Sequence, residues 1–141
     1  MAEYAASFRE LIVYRKARDV AKEIFEISRR FPREETYALT DQVRRASRSV
    51  GAQIAEAWGK RRYEKHFVSK LTDADGEQYE TQHWVETALD CGYLTREEAT
   101  RLNDGLTQIG RMLNGMIEKS ASFCGDAPLV VKEDSVEYFT P

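Results

Sequence analysis

Leu102, Leu106, Ile109, Leu113 and Met116 recur at steps of four, three, four and three. A seam with that period is covered only when another helix lies along it. Three further stretches carry the same mark. From Phe8 to Arg30 the face holds Leu11, Tyr14, Ala17, Val20, Ala21, Ile24, Phe25 and Ser28, and Phe31-Pro32 ends it, because proline excludes helix before and at itself. From Ala38 to Gly59 it holds Val43, Ala46, Val50, Ile54, Ala57 and Trp58, with Thr40 or Asp41 placed to cap the start. From Tyr63 to Cys91 it holds Phe67, Leu71, Ala74, Val85 and Ala88, with Gln78 and Thr81 on the same seam.

The segments 8–30, 38–59, 63–91 and 96–120, each roughly 33 to 43 Å long at about 1.5 Å per residue, are joined by short links. Gly92 stops the third, and Thr95 with Glu98 forms a capping box for the fourth. The fold expected is all-α, an antiparallel up-and-down four-helix bundle over residues 1–124. Ala46, Ser47, Ser49, Gly51, Ala52 and Ala55 mark the second helix as central and open to close approach. Gln78 and Thr81 are suited to a hydrogen-bonded layer that sets register, and Trp58 and Trp84 to core or interface anchors. Beyond Cys124, residues 125–141 have no helix period; the tail is either a loose end or an arm docking Leu129, Val130, Tyr138 and Phe139.

Composition narrows the class. The chain has 141 residues, 42% apolar and 32% charged, with no long apolar run and no basic leader ahead of an apolar core. A globular protein of the cytoplasm, with no membrane span, is expected. Two cysteines, Cys91 and Cys124, are too few for a disulfide scaffold; both read as reduced thiols, Cys91 as a small hydrophobe at a helix end. The net charge of −3 is unevenly spread: residues 1–70 carry 16 Lys/Arg against 10 Asp/Glu, and residues 71–141 carry 5 against 14. Such a molecule has either an anionic partner for its basic half or a second copy of itself.

The central block resembles a known family. Phe31-Pro32, Tyr37 and Leu39, Gln42-Val43-Arg44-Arg45-Ala46, Ser49-Val50 and Gln53-Ile54-Ala55-Glu56-Ala57 are similar to the pattern of four-helix bundle proteins related to the 23S rRNA intervening-sequence proteins. The likeness extends over about Phe8 to Ile117. Gln53 stands where that family usually has Asn, and Ala57 where it usually has Gly. The resemblance implies a bundle that assembles into a ring, a homopentamer, and implies no enzyme. It also implies kinship with the accessory subunits of diversity-generating retroelements, whose basic ring is linked to nucleic acid and a reverse transcriptase.

Candidate functional residues are mainly basic. Arg29, Arg30 and Arg33 lie at the first turn, Arg44, Arg45 and Arg48 on the second helix, and Lys60, Arg61, Arg62 and Lys65 at the next turn. Arg44, Arg45, Arg48, Lys60, Arg61, Arg62 and Lys65 are suited to hold the phosphates of RNA or DNA, with Trp58, Tyr63 and Phe67 near enough to stack on bases. A pI near 5.5 weighs the other way. Arg44 and Arg45 could instead pair with Glu56 or with the acidic face of a neighbouring copy. Glu80 and His83 have the Glu-x-x-His spacing of di-iron bundles, but a second such motif is missing. With no glycine-rich phosphate loop and no strained nucleophile, neither a cofactor nor an enzyme is expected. The function expected is a ring-forming interaction scaffold. The alternatives are a nucleic-acid-binding accessory factor and, more distantly, a metal-dependent enzyme at Glu80 and His83.

Overall fold

The computed structural model describes residues 2–4, 6–125 and 130–132. Its helices are α1 (Ile12–Ser28), α2 (Asp41–Gly59), α3 (Glu64–Asp90) and α4 (Arg96–Glu118), with one further turn, α5 (Ser120–Phe123). Helix α1 packs on α2 and α4, α2 on α3, and α3 on α4, the square of antiparallel neighbours that short links impose. Outside the helices, β1 (Ala2–Tyr4) and β2 (Val130–Lys132) pair antiparallel, with Glu3 opposite Val131. The expected docking residues Leu129, Tyr138 and Phe139 lie outside the described residues.

Two helix starts differ from the sequence expectation. Residues Phe8–Glu10 form a 3-10 turn, with the Ser7 hydroxyl accepting from the Arg9 N–H, and α1 begins only at Ile12. Before α2 the chain runs through a 3-10 turn, Arg33–Glu35, and one π turn, Thr36–Thr40. Neither Thr40 nor Asp41 caps as expected: Thr40 is itself helical, and the Asp41 N–H already bonds to the Thr36 carbonyl. The α3 end and α4 start are as the punctuation requires. Gly92 adopts φ +78, which lets the Tyr93 N–H reach the Ala88 carbonyl at 2.9 Å. The Thr95 hydroxyl accepts from the Glu98 N–H at 3.1 Å, and the Glu98 carboxylate from the Thr95 N–H at 2.9 Å.

The core forms two clusters. One gathers Leu11, Val13, Ile54, Phe67, Leu71, Ile109, Leu113 and Met116, closed by Phe123 stacked on Phe67. The other gathers Ile24, Leu39, Val43, Val85, Leu94 and Leu102. Between them on α3 sit Gln78 and Thr81, 2% and 0% exposed. Their hydrogen bonds stay within α3: Gln78 donates to Asp75 at 3.0 Å, Gln82 donates to Gln78 at 2.7 Å, and Thr81 donates to the Glu77 carbonyl at 2.8 Å. Register against α4 is set by shape at Gly110 and by two hydrogen bonds across the pair, Asn103 donating to Glu86 at 2.9 Å and Asn114 to Asp75 at 3.5 Å. A Cβ on Gly110 of α4 would lie 2.9 Å from Gln78 Nε2 and 3.2 Å from Asp75 Oδ1, so only glycine lets the polar layer close.

At the opposite end, Arg30 ties the first turn to the last helix by donating to the Glu98 carboxylate and, at 3.3 Å, to the Tyr93 carbonyl. The Tyr93 hydroxyl donates to Glu35 at 2.8 Å.

Replacing Gly110 by Ala improves helix propensity by about 1 kcal/mol, but it displaces a buried, hydrogen-bonded amide at a cost of about 1–3 kcal/mol for the strain and as much again for a broken bond. A net loss of about 1–5 kcal/mol is expected in urea unfolding, and an unchanged or raised midpoint would contradict it. The Arg30 guanidinium and the Thr95 N–H hold Glu98 down from 4.5 to about 2. Its contribution is thus complete above pH 4.5 and fades as pH falls toward 2. Glu98→Gln should lose about 1 kcal/mol at neutral pH, and it should show a shallower loss of stability through that acid window.

Candidate functional site

Helix α3 carries seven carboxylates against Lys65 and Lys70, whereas α2 carries Arg44, Arg45 and Arg48 against Asp41 and Glu56. The bundle turns this sequence asymmetry into sidedness, because α3's apolar seam faces inward and Asp73, Glu86 and Asp90 lie on its exposed face, while Glu77 and Glu80 turn toward Arg45 of α2. The stripe opposite the seam reads Thr72, Asp73, Gly76, Tyr79, His83, Glu86 and Asp90, all exposed and without a Lys or Arg. Tyr79 stands 62% exposed, and a Cβ on Gly76 would meet nothing within 4 Å.

The seven basic residues singled out from sequence separate into three environments. Arg45 is committed within the protomer: it pairs with Glu80 and, at 3.5 Å, with Glu77. Its pKa is raised by the bond to Glu80, and Glu80 is held below the usual carboxylate range first by the Trp84 indole N–H at 3.0 Å and then by Arg45. Glu56, the other partner considered, lies instead 3.7 Å from Lys70.

Arg44 and Arg48 lie over Phe25, at 4.7 and 5.5 Å from its ring, and Arg44 also donates to the Ser28 hydroxyl at 2.8 Å. Arg48 borders a groove of about 520 Å³ between α1 and α2. Its floor is Ala17, Ala21, Ser47, Gly51, Ala52 and Ala55; Phe8, Tyr14 and Phe25 stand over it, with Arg18, Lys22 and Arg48 at the rim. Arg18 donates to the Tyr14 hydroxyl at 3.2 Å. Among the described residues no ion pair involves Arg18, Lys22, Arg44 or Arg48. Sequence reading placed Phe25 on the buried face, yet it is 36% exposed. The apolar stripe of α1 is wider than one bundle covers, and the small side chains of α2 leave its far edge open. That width, together with the alanine-rich run, was the available signal for the groove.

Lys60, Arg61, Arg62 and Lys65 form a separate end of the molecule, at the turn between α2 and α3. Arg61 stacks 3.7 Å from the buried Trp58 ring, donates to the Trp58 carbonyl at 2.9 Å, and has its pKa lowered by burial. Arg62 lies 5.9 Å from the Tyr63 ring, and Tyr63 packs on His66 at 5.5 Å. Tyr63 is 59% exposed, whereas Phe67, considered for stacking, is fully buried in the core and unavailable. No ion pair among the described residues involves Lys60, Arg61 or Lys65.

Glu80 and His83 do not come together as ligands. Glu80 is occupied by Arg45 and Trp84, and His83 meets the Trp84 ring edge-on at 4.8 Å. Among the described residues no group of three or more His, Cys, Asp or Glu is placed to hold a metal ion, and no helix is long and apolar enough to cross a membrane. Cys91 caps the end of α3 and is exposed rather than packed; Cys124 is partly buried, and burial pushes its thiol up.

The model of the 23S rRNA-intervening sequence protein family matches residues 9–115. The chain belongs to that family. The match runs from the 3-10 turn before α1 to the last turns of α4, so the family unit is the bundle with its groove and its basic turn. A crystal structure from Bacteroides thetaiotaomicron, of a protein of unknown function from the S23 ribosomal protein family, superposes with a TM-score of 0.69 at 29% identity. The superposition covers 76% of this chain and 99% of that one. No curated protein matches the sequence.

Proposed function

We propose that this family member is a self-assembling scaffold whose copies join head to tail into a closed ring. The observation that supports it is the division of charge: an α1–α2 side where Arg18, Lys22, Arg44 and Arg48 have no carboxylate partner among the described residues, and an α3 side whose exposed stripe holds acids but no Lys or Arg. Two unlike, complementary patches on one chain make a heterologous contact, and such contacts close into a ring when the rotation between copies divides the circle. A homopentamer is the ring that the family resemblance implies. The groove and the basic turn present cations beside aromatic rings, a chemistry suited to holding a partner.

Light scattering after size exclusion should give a mass several times 16.2 kDa. The mass should fall as salt rises, since exposed charges are screened over about 10 Å at 0.1 M. A lone protomer at high protein concentration would overturn the proposal.

A second reading, a nucleic-acid-binding accessory factor, is favoured by the turn between α2 and α3. There Arg61 is held on Trp58 with no carboxylate partner among the described residues, beside Lys60, Arg62, Lys65 and the exposed Tyr63. Phosphate contacts of this kind are salt-sensitive and indifferent to sequence. Fluorescence anisotropy with structured RNA and duplex DNA should show binding that weakens steeply between about 50 and 200 mM salt, and Arg61→Glu with Arg62→Glu should abolish it while leaving the oligomer mass unchanged. Absence of binding at the lower salt would rule this reading out.

A further inference from the structure

We infer that the α1–α2 groove is the seat of the outer stripe of α3 from a second copy, with Gly76 passing over the small-residue floor and Tyr79 entering beside the aromatic walls. This rests on the self-assembly proposed above and names the two surfaces that carry it. The charges match: the rim supplies Arg18, Lys22 and Arg48, and the stripe supplies Asp73, Glu86 and Asp90, of which Asp73 lies 4.0 Å from Lys70 and Glu86 accepts from Asn103 through one oxygen. The shapes match as well. From Tyr14 to Phe25 along α1 is about 16 Å, and from Asp73 to Glu86 along α3 about 20 Å, at 1.5 Å per residue.

Gly76 is the decisive residue. A glycine inside a helix weakens it relative to alanine, and nothing among the described residues needs this one, since a Cβ there would meet open space. Its neighbour on the stripe, Tyr79, is a large aromatic left 62% exposed. A dent beside a knob on one surface, and an alanine-floored groove flanked by aromatics on another, are the two halves of a close helix-to-groove contact. The surfaces lie on different helices of one chain, so each copy offers both and assembly continues from copy to copy.

The test uses the full chain, with circular dichroism to confirm that each variant stays helical. Arg18→Glu with Arg48→Glu should lower the mass toward the 16.2 kDa protomer, as should Asp73→Lys with Glu86→Lys. All four changes in one chain should restore the oligomer. Gly76→Arg, whose Cβ has nothing within 4 Å among the described residues, should also dissociate it. In a background of Cys91→Ser and Cys124→Ser, a short bis-maleimide should link Ala52→Cys copies to Gly76→Cys copies in a mixture. An oligomer whose mass withstands both reversals and whose mixture does not cross-link overturns this docking while self-assembly stands, and leaves the groove to a foreign chain. A protomer alone in every sample overturns both.

Discussion

The bundle depends on how α3 meets α4 around Gln78. A buried amide needs its hydrogen bonds met, and here they are met along α3 itself by Asp75 and Gln82. That leaves a rigid polar layer between two apolar clusters, and Gly110 is the residue on α4 that lets the layer be approached. A shift of one turn along the helices would set a side chain with a Cβ against the amide, or bury Gln78 among leucines. The layer therefore penalises a one-turn shift, while Phe67, Leu71, Ile109 and Leu113 supply the apolar burial that drives the helices together. At the far end the Arg30–Glu98 pair ties the first turn to the start of α4.

Once register is set, every outward-facing residue has its place, and the placement separates charge. The inward seam of α3 compels its opposite face to carry Asp73, Glu86 and Asp90, and the inward seam of α2 compels Arg44 and Arg48 toward Phe25. Arg45 lies on the flank of α2 that faces α3 and is neutralised inside the protomer by Glu77 and Glu80. Neighbours in sequence thus have unlike roles, one internal and two available to partners. The basic turn at Arg61 is a third environment, where stacking on Trp58 fixes a guanidinium that no acid among the described residues neutralises.

Most of the fold was legible from periodicity. The seam residues expected on α3 and α4 are the ones buried, because helices with a single narrow apolar stripe have one way to bury it. The stop at Gly92 and the capping box at Thr95 were legible too, since each depends on local backbone chemistry alone. The π turn before α2 was not, because Thr36–Thr40 has the composition of any helix start and its hydrogen bonding is decided by how Leu39 and Thr40 are buried. The basic cluster was legible as composition but not as a site. Its seven residues divide among an internal salt bridge, a groove rim and a turn.

By itself the sequence determined that four amphipathic helices form, where they turn, which stripes go inside, and that the two halves of the chain differ in charge. Those properties follow from the spacing of residues along one segment at a time. Only the tertiary structure decided that Gln78 would be closed by Gly110, that Arg45 would be neutralised while Arg48 stayed available, and that α1 and α2 would leave an open groove between them. These depend on the relative rotation and offset of packed helices. That is a property of pairs of surfaces meeting in space, which no single segment contains.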